Sequence, residues 1–457
     1  MAENENEDAK RTESLLDQIR RWRTDADKGR EPELLSARLG SRQYSVAALI
    51  ERIVDAFIDE HGGGSDALHE AGTETRRLKL ILATVDYVLA VESIQMTNED
   101  KAALIRSVYH ELFTYGPLDA LFADETITTI TLEGADKVAV RHGHGDLKSL
   151  EPIFEDEAHL RKIIQRLLID SGAALQPEMP IIETGLAVSG RPININLAGP
   201  PATIQISADI RLHPVTAPTL EALQVQWTLP PQAVELIRAI VDSEHGIAII
   251  GEAESGKTTF LNALIGILPE TKQAGLVVIE HARALRLPQE AERFYTQWAQ
   301  AESDSRSFGQ QIEAALAIKG AAVMVLDEVR ADQAQSIGAL LGDVQVPRQI
   351  WVLRGPASSK RLVSALGMLA RRSGGDINAS EDRVRALYER LPVVITLRRR
   401  EGRLEISSIS EWQFPEESDY PIYVELMATG WEGLELTGRQ SQHPLDLPES
   451  FWSVRAE

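Results

Sequence analysis

Apolar residues in the second half of the chain form short runs that alternate with segments of helical periodicity. Apolar runs of four or five residues predict buried strands, and apolar residues recurring every three or four positions predict helices. The predicted strands are 246–250, 276–280, 322–327 and 349–353, and the predicted helices are about 231–241, 260–268, 308–318, 331–341 and 358–371. This alternation favours an α/β fold with a parallel sheet and helices on both faces. A hairpin of 393–397 and 403–409 around Glu401-Gly402 is predicted to follow.

The first half of the chain has a different pattern. Amphipathic helices are predicted at 44–58 and 78–91, and a third starts at Thr97, whose hydroxyl can cap it, with Asp100 three residues on. Short strands at 126–132, 137–141, 181–188, 192–197 and 202–211 accompany one helix at 157–168. The predicted divisions are an acidic, disordered or frayed arm (1–40, with a helix at 15–22), a helical module (41–115), a small α+β domain (116–215), the α/β domain (216–411) and a tail of unassigned structure (412–457).

A phosphate-binding loop is predicted at Gly251–Thr259, read GEAESGKTT, which matches Gly, four residues, then Gly-Lys-Ser/Thr. The loop follows a predicted strand and opens a predicted helix, and this context argues against a chance match in a glycine turn. Its backbone N–H groups and the helix start can point at phosphate oxygens. Lys257 can reach the β- and γ-phosphates, and the Thr258 hydroxyl can ligate Mg²⁺. The predicted cofactors are ATP and Mg²⁺, and the predicted nucleotide-binding residues are Gly251, Glu254, Ser255, Gly256, Lys257, Thr258 and Thr259.

Acidic residues end two of the predicted strands, where ligands of parallel sheets bind. In the run VMVLDE, Asp327 is predicted to help hold Mg²⁺ together with Thr258. Glu328 is predicted to orient or deprotonate the attacking water. Glu280 ends the preceding strand and is the second catalytic candidate. The alternative for each acid is a strand terminus that only meets solvent.

Composition narrows the functional class. The chain has 457 residues, no cysteine and a formal net charge of −22. The absence of cysteine excludes disulfides and thiolate chemistry, and the acidic balance opposes direct nucleic-acid binding. No apolar stretch reaches the length of a transmembrane span, and the polar start does not resemble a signal peptide. We therefore expect a cytoplasmic protein that contacts a membrane only through a partner.

An ordered series of motifs carries a family resemblance. It runs through EAHLRKIIQRLL, GRPININLAGPP, IRLHP, the phosphate-binding loop, VVIEHARALRLP and LDEVRADQA, within residues 108–411. This series resembles the type II/type IV secretion ATPase superfamily, and most closely the Tad/Flp pilus assembly ATPases of CpaF type. The resemblance implies a RecA-like ATPase domain (216–411) after a PAS-like α+β domain (116–215), with ATP held between them.

The resemblance also implies partners and further site residues. Arg191 in GRPIN and Arg211 in IRLHP match two arginines that face the nucleotide phosphates, a task that suits the planar guanidinium group. Arg330 matches the family's Glu-Val-Arg and is interpreted as structural. The implied assembly is a homohexamer, or a hetero-oligomer with a homologous ATPase, on an inner-membrane platform protein. The implied function is a motor for assembly of a Tad or type IV-like pilus or a related secretion machine. A helicase suits a RecA-like core but not the acidic charge.

Two departures from the family pattern open an alternative. The family's Ile-Glu-Asp box reads Ile279-Glu280-His281 here, and we interpret His281 as part of a solvated loop. The family's histidine box is missing, because no histidine occurs between His281 and His443. This loss predicts weak ATPase activity. It also leaves open a degenerate, nucleotide-binding regulatory or structural subunit with little activity of its own.

Overall fold

A computed structural model describes residues 46–61, 74–143, 145–297, 305–342, 346–355, 359–374, 379–400, 403–415, 421–431 and 433–453. The predicted arm at 1–40, with its helix at 15–22, lies outside the described residues. Two compact units divide the chain. The first draws its described residues from Met1–Ile127, Leu132–His142 and Lys148–Leu167, and the second from Thr128–Thr131, Gly143–Leu147 and Leu168–Glu457.

Helices open the first unit. They are α1 (Val46–His61), α2 (Glu74–Val91), α3 (Asn98–Phe113) and α4 (Pro117–Ala123). Apolar residues of α1, α2 and α3, such as Ile53, Val85 and Leu104, pack into one core. The predicted cap of α3 is confirmed, because the Thr97 side chain accepts a hydrogen bond from the Asp100 backbone N–H at 3.1 Å.

The short strands predicted in the first half of the chain form one sheet. The elements are β1 (Ile127–Glu133), β2 (Lys137–His142), β3 (Lys148–Leu150), α5 (Glu157–Ser171), β4 (Ile181–Val188), β5 (Arg191–Ala198) and β6 (Ser207–Leu212). The strand order is β3-β2-β1-β6-β5-β4, and β4, β5 and β6 are antiparallel. β6 begins five residues later than predicted, because the chain turns around Pro200 and Pro201, where the Thr203 backbone N–H donates to the Gly199 carbonyl oxygen at 3.2 Å. Between them and β6 the Thr203 hydroxyl donates to the Gln205 carbonyl oxygen in a turn.

The second unit carries the predicted alternation of strands and helices. Its helices are α6 (Leu220–Gln226), α7 (Pro231–Asp242), α8 (Lys257–Gly266), α9 (Glu270–Gln273), α10 (Phe308–Leu316), α11 (Ser359–Arg372) and α12 (Ser380–Arg390). The helix predicted at 331–341 is instead a 3₁₀ segment, Ala331–Leu340, interrupted at Gln333, whose φ of −108° is non-helical. The strands of this second unit are β7 (Ile247–Gly251), β8 (Leu276–Glu280), β9 (Glu292–Tyr295), β10 (Val323–Val329), β11 (Arg348–Arg354), β12 (Val393–Arg400), β13 (Arg403–Gln413), β14 (Ile422–Thr429) and β15 (Leu434–Leu436).

These strands form one sheet in the order β15-β14-β13-β12-β7-β11-β10-β8-β9. The six strands from β12 to β9 are parallel, and β13, β14 and β15 add to the β12 edge as antiparallel strands. One face packs against α7 and α8, and the other against α10, α11 and α12. The predicted RecA-like α/β class, a parallel sheet covered on both faces, is confirmed. The antiparallel pairing of the predicted 393–397 and 403–409 hairpin is confirmed as well.

The tail, which the sequence pattern does not assign, continues the sheet through β14 and β15. Phe451 and Trp452 pack into the core on the α8 face. Glu411 of β13 is fully buried and accepts hydrogen bonds from the Gln442 backbone N–H at 2.7 Å and from the Ser441 hydroxyl at 2.5 Å. Within the described ranges, no helix is both long enough and apolar enough to cross a bilayer.

Candidate nucleotide-binding site

The predicted phosphate-binding loop connects β7 to α8 and depends on two glycines. Gly256 has a φ of +86°, a conformation that residues with a Cβ rarely adopt. A Cβ on Gly251 would lie 2.2 Å from the Ser255 Oγ and 2.7 Å from the Leu397 carbonyl oxygen. Both positions therefore require glycine for this tight turn.

The loop encloses buried polar atoms that suit an anion. The Ser255 Oγ is buried and has no hydrogen-bond partner among the described residues. The Lys257 side chain is 8% exposed, and its Nζ donates to the Glu252 carbonyl oxygen at 2.6 Å. That bond uses one of three ammonium donors. No side chain caps α8 at Gly256, so the first N–H groups of the helix are also open to a phosphate. These donors fit the phosphates of a nucleotide.

The two strand-terminal acids lie on the same side of the sheet as α8. Successive residues of a strand face opposite sides. Val325 of β10 and Val278 of β8 pack in the core with α8, so Asp327 and Glu280, two residues further on, belong to that face.

Lys257 and the acids of β10 act on one another electrostatically. Burial lowers the pKa of Lys257, and the charges of Glu328 and Asp327 oppose this change. Burial raises the pKa of Asp327 well above its usual range; Glu280 and Glu328 raise it further, and Lys257 lowers it. A divalent cation at Asp327 would supply the positive charge that this buried carboxylate lacks.

Glu328 has an unusual backbone conformation. Its φ is +58°, and the pairing of β10 with β11 shifts register between Leu326 and Val329. Strained backbone and β-bulges both concentrate at functional sites. The distortion follows directly after Asp327, so the two acids do not simply alternate along a regular strand.

His281 holds this distorted segment from the neighbouring strand. Its Nε2 donates to the Glu328 carbonyl oxygen at 3.1 Å, and its ring stacks on Phe308 at a centroid distance of 4.3 Å. Burial lowers the pKa of His281, which favours the neutral ring. The predicted solvated loop is wrong here, because His281 is only 6% exposed. The Phe308 ring and the Glu328 carbonyl oxygen supply the contacts that bury this side chain.

Glu280 is fully buried, and both of its carboxylate oxygens contact neighbouring groups. One oxygen accepts the backbone N–H groups of Ala284 and Leu285 at 3.0 and 3.1 Å, and the other pairs with Arg293 Nε at 3.0 Å. Burial raises the pKa of Glu280 to about 7, although Arg293 and the two N–H groups lower it. These contacts favour a role in holding the loop after β8. The catalytic role of Glu280 stays a prediction.

The two predicted phosphate-facing arginines have different surroundings. Arg191 is buried, and its Nε donates to the His213 carbonyl oxygen at 3.0 Å. Arg211 is partly exposed, with its Nε 3.2 Å from the Asp209 carboxylate, and its charge helps to lower the pKa of Lys257. Both arginines lower the pKa of His213, although burial is the main cause of its fall to about 4.

Sequence reasoning missed two residues that connect to this site. Glu183 of β4 pairs with Arg330 at 2.6 Å, and Arg330 lies 3.8 Å from Glu328. Asn262 of α8 donates to the Thr258 carbonyl oxygen at 3.0 Å and accepts from the Arg286 backbone N–H at 2.8 Å. The available signal for Glu183 was a charged residue in a mostly apolar strand. For Asn262 it was an amide one helical turn after Thr258.

The strand order and the loop together define a RecA-like α/β fold with a P-loop sequence between β7 and α8. No protein-family model matches the chain. Two relatives from Mycobacterium tuberculosis, strains CDC 1551 / Oshkosh and H37Rv, are both described as putative conjugal transfer proteins. Each is 28% identical to this chain over 187 residues, which is 40% of this chain and 52% of the relative. The chain thus spans about half the length of the curated relatives it matches.

Solved structures with partial similarity are secretion and pilus ATPases. The VirB11 ATPase of the Brucella suis type IV secretion system is 19% identical, covering 65% of this chain and 95% of its own, with a TM-score of 0.30. The Legionella pneumophila ATPase DotB is 16% identical, covering 67% and 82%, with a TM-score of 0.44. The pilus retraction motor PilT is 17% identical, covering 63% and 81%, with a TM-score of 0.40. Because these TM-scores are low, the fold assignment rests on the strand order and the loop alone.

Proposed function

We propose that this protein binds ATP with Mg²⁺ at the β7–α8 loop and hydrolyses it. The phosphate-binding loop carries this proposal. A buried lysine, an unpartnered buried hydroxyl and an uncapped helix start converge at Gly251–Thr259. Asp327 and Glu328 of β10 are the candidates for the acids that phosphoryl transfer requires, and their charges act on Lys257.

Each residue then has a defined task. The loop N–H groups and Lys257 bind the β- and γ-phosphates, while the Thr258 hydroxyl and Asp327 would hold Mg²⁺. Mg²⁺ held by these two residues would neutralise charge that develops on the phosphate oxygens. Glu328 orients the attacking water or accepts its proton, and the bond from His281 fixes the backbone that carries Glu328. Arg211 and Arg191 add positive charge beside the phosphates.

We further propose a place for this ATPase in a secretion or pilus machine, and specifically of the Tad/Flp type. The ordered motif series within residues 108–411 supports this. The partial identity to putative conjugal transfer proteins points to the same broad class. On this proposal the protein works in the cytoplasm as a hexamer on an inner-membrane platform protein.

The test compares ATP binding and hydrolysis in matched variants. Fluorescent ATP analogue titrations would use wild type, Lys257→Ala and Lys319→Ala, the last an exposed lysine after α10. Lys257→Ala should abolish tight binding, because it removes the charge facing the phosphates, and Lys319→Ala should bind like wild type. Equal affinity of Lys257→Ala and wild type would refute the nucleotide site.

Hydrolysis is tested by phosphate release in Mg²⁺. Glu328→Gln should keep ATP binding and lose about 10²–10⁴-fold in rate, as expected for a well-placed base. Wild type is assayed alone and mixed with a homologue that has the histidine box. Wild-type turnover equal to that of Glu328→Gln in both assays would contradict the motor and leave a nucleotide-binding subunit without activity.

A further inference from the structure

Arg354 ends the strand that lies between the two halves of the site. β11 is hydrogen-bonded to β7 on one side and to β10 on the other. Arg354 is the register partner of Gly251, the first residue of the phosphate-binding loop. The next residue, Gly355, donates its backbone N–H to the Gly251 carbonyl oxygen at 3.2 Å. The backbone of Arg354 is therefore fixed beside the loop entrance.

The alternation of β11 determines the side of the sheet to which Arg354 belongs. Ile350 and Val352 pack in the core with α8, whereas Trp351 and Leu353 pack in the core of the opposite face. Arg354, two residues after Val352, therefore belongs to the α8 face. Asp327 belongs to that same face by the same argument.

The Arg354 side chain is exposed, and it makes no hydrogen bond or ion pair with any other residue that the structure describes. A guanidinium group at this strand end, without a partner among the described residues, is available to bind an anion. Such an arrangement suits a polyanion rather than a protein cation.

We propose that Arg354 contacts the terminal phosphate of the bound nucleoside triphosphate from β11. The proposal rests on the nucleotide site proposed above. Loop N–H groups hold the inner phosphates in such sites, and Asp327 would hold a Mg²⁺ that neutralises charge on the outer phosphates. Because β11 lies between that loop and Asp327, its carboxyl end faces the position of the γ-phosphate. A guanidinium group can donate two parallel hydrogen bonds to phosphate oxygens there.

The test measures discrimination between ATP and ADP, which a general structural role would not change. Full-length wild type, Arg354→Gln, Arg354→Lys and Lys257→Ala are titrated with fluorescent ATP and ADP analogues in Mg²⁺. The matched control is Arg439→Ala, an exposed arginine after β15 at the far edge of the sheet. Arg354 is exposed, so thermal denaturation should report similar stability for its variants.

We expect Arg354→Gln to weaken ATP binding about tenfold, the usual cost of losing a hydrogen bond to a charged group, and to change ADP binding less than twofold. Arg354→Lys should lie between Arg354→Gln and wild type, because the charge persists without the planar fork. Unchanged ATP affinity in Arg354→Gln, or equal losses for ATP and ADP, would overturn the proposal while leaving the nucleotide site intact. Equal affinity of Lys257→Ala and wild type would remove both proposals together.

Discussion

At the residue scale, Glu328 departs from the regular geometry of β10. An ordinary β-strand would turn Asp327 and Glu328 to opposite faces of the sheet. The positive φ of Glu328 and the bulge in β10 break that alternation. Such a backbone costs of order 1–3 kcal/mol, so neighbouring groups must stabilise it. The His281 hydrogen bond to its carbonyl oxygen is one such group.

Removing His281 should therefore slow hydrolysis more than it weakens binding. We expect His281→Ala to lower kcat about ten- to a hundredfold, a range typical of a misplaced catalytic group, with ATP affinity within about twofold of wild type. Steady-state phosphate release and ATP titration would measure the two effects. His443→Ala is the matched control, because the Nε2 of His443 makes a similar bond to the Trp412 carbonyl oxygen at 2.9 Å. A similar fall in kcat for both variants would contradict a positioning role.

Glu280 should make the stability of the protein depend on pH. Its pKa rises from 4.5 to about 7 on folding, chiefly through burial. The folded state therefore holds a proton that the unfolded chain has released between these values. The contribution to the free energy of unfolding is largest below pH 4.5 and is lost as the pH rises through 7. At about 1.4 kcal/mol per pKa unit, this loss is about 3 kcal/mol.

Urea denaturation of wild type and Glu280→Gln at a series of pH values from 5 to 8 tests this dependence. Wild type should lose stability over the range, and Glu280→Gln should lose less of it, because an amide cannot titrate. Glu313→Gln, an exposed acid of α10, serves as the control and should follow wild type. Parallel curves for wild type and Glu280→Gln would exclude Glu280 as the source.

At the scale of elements, the phosphate-binding loop packs against β12, β13 and the end of α6. A Cβ on Gly256 would lie 2.9 Å from Leu404 Cδ1 and 3.1 Å from the Trp227 ring. Glu254, with a φ of +59°, pairs with Arg399 of β12 at 3.2 Å. A partly exposed pair of this kind contributes little to stability. The Glu254–Arg399 pair connects the loop to β12. The β12–β13 hairpin and the end of α6 therefore pack against the loop.

This packing predicts opposite effects for two glycines of the same segment. Gly256→Ala should cost about 1–2 kcal/mol in backbone strain alone and should weaken ATP binding by about tenfold, because the loop N–H groups shift. Gly266→Ala, in the last turn of α8 where a Cβ would meet nothing within 4 Å, should be neutral or stabilise by up to about 1 kcal/mol. Thermal denaturation and ATP titration of both variants check this. Equal behaviour would mean that the loop tolerates a left-handed alanine.

For the whole molecule, the sequence predicted the parallel sheet, its two covered faces and the phosphate-binding loop. Apolar runs and glycine spacing are local signals, and these features depend on them directly. The antiparallel strands β14 and β15 were not predicted, because their apolar side chains pack against residues later in the chain, such as Phe451 and Trp452. Helical periodicity at 331–341 was misleading for a similar reason, since packing and the non-helical Gln333 produce a 3₁₀ segment.

The site was predictable only in part. Lys257 and Asp327 belong to recognisable sequence patterns after and at the end of apolar strands, and their roles stay predictions. The roles of His281 and Glu183 depend on which carbonyl or guanidinium group lies opposite them in space. That information comes from register between strands far apart in the chain, which spacing along the sequence does not encode.

Assembly is the prediction that belongs to the whole molecule. If Arg211 closes on nucleotide phosphates, ATP with Mg²⁺ should favour a ring of six subunits. Mass photometry with and without a non-hydrolysable ATP analogue would show a shift toward about six times the monomer mass. Arg211→Ala should reduce the shift, and Arg439→Ala should preserve it. A monomer that does not respond to the nucleotide would contradict the hexameric motor.

The position of β11 between β7 and β10 has a consequence during synthesis of the protein. β11 follows both strands along the chain, yet it separates them in the sheet. A nascent chain that has left the ribosome only as far as β10 contains Lys257 and Asp327 but lacks the strand that spaces them. Pairing of β11 with strands that lie far away in the sequence is slow and comes late in folding. If the proposed function holds, newly made copies should become able to bind nucleotide only once the sheet is complete, so unfinished chains should not hydrolyse it.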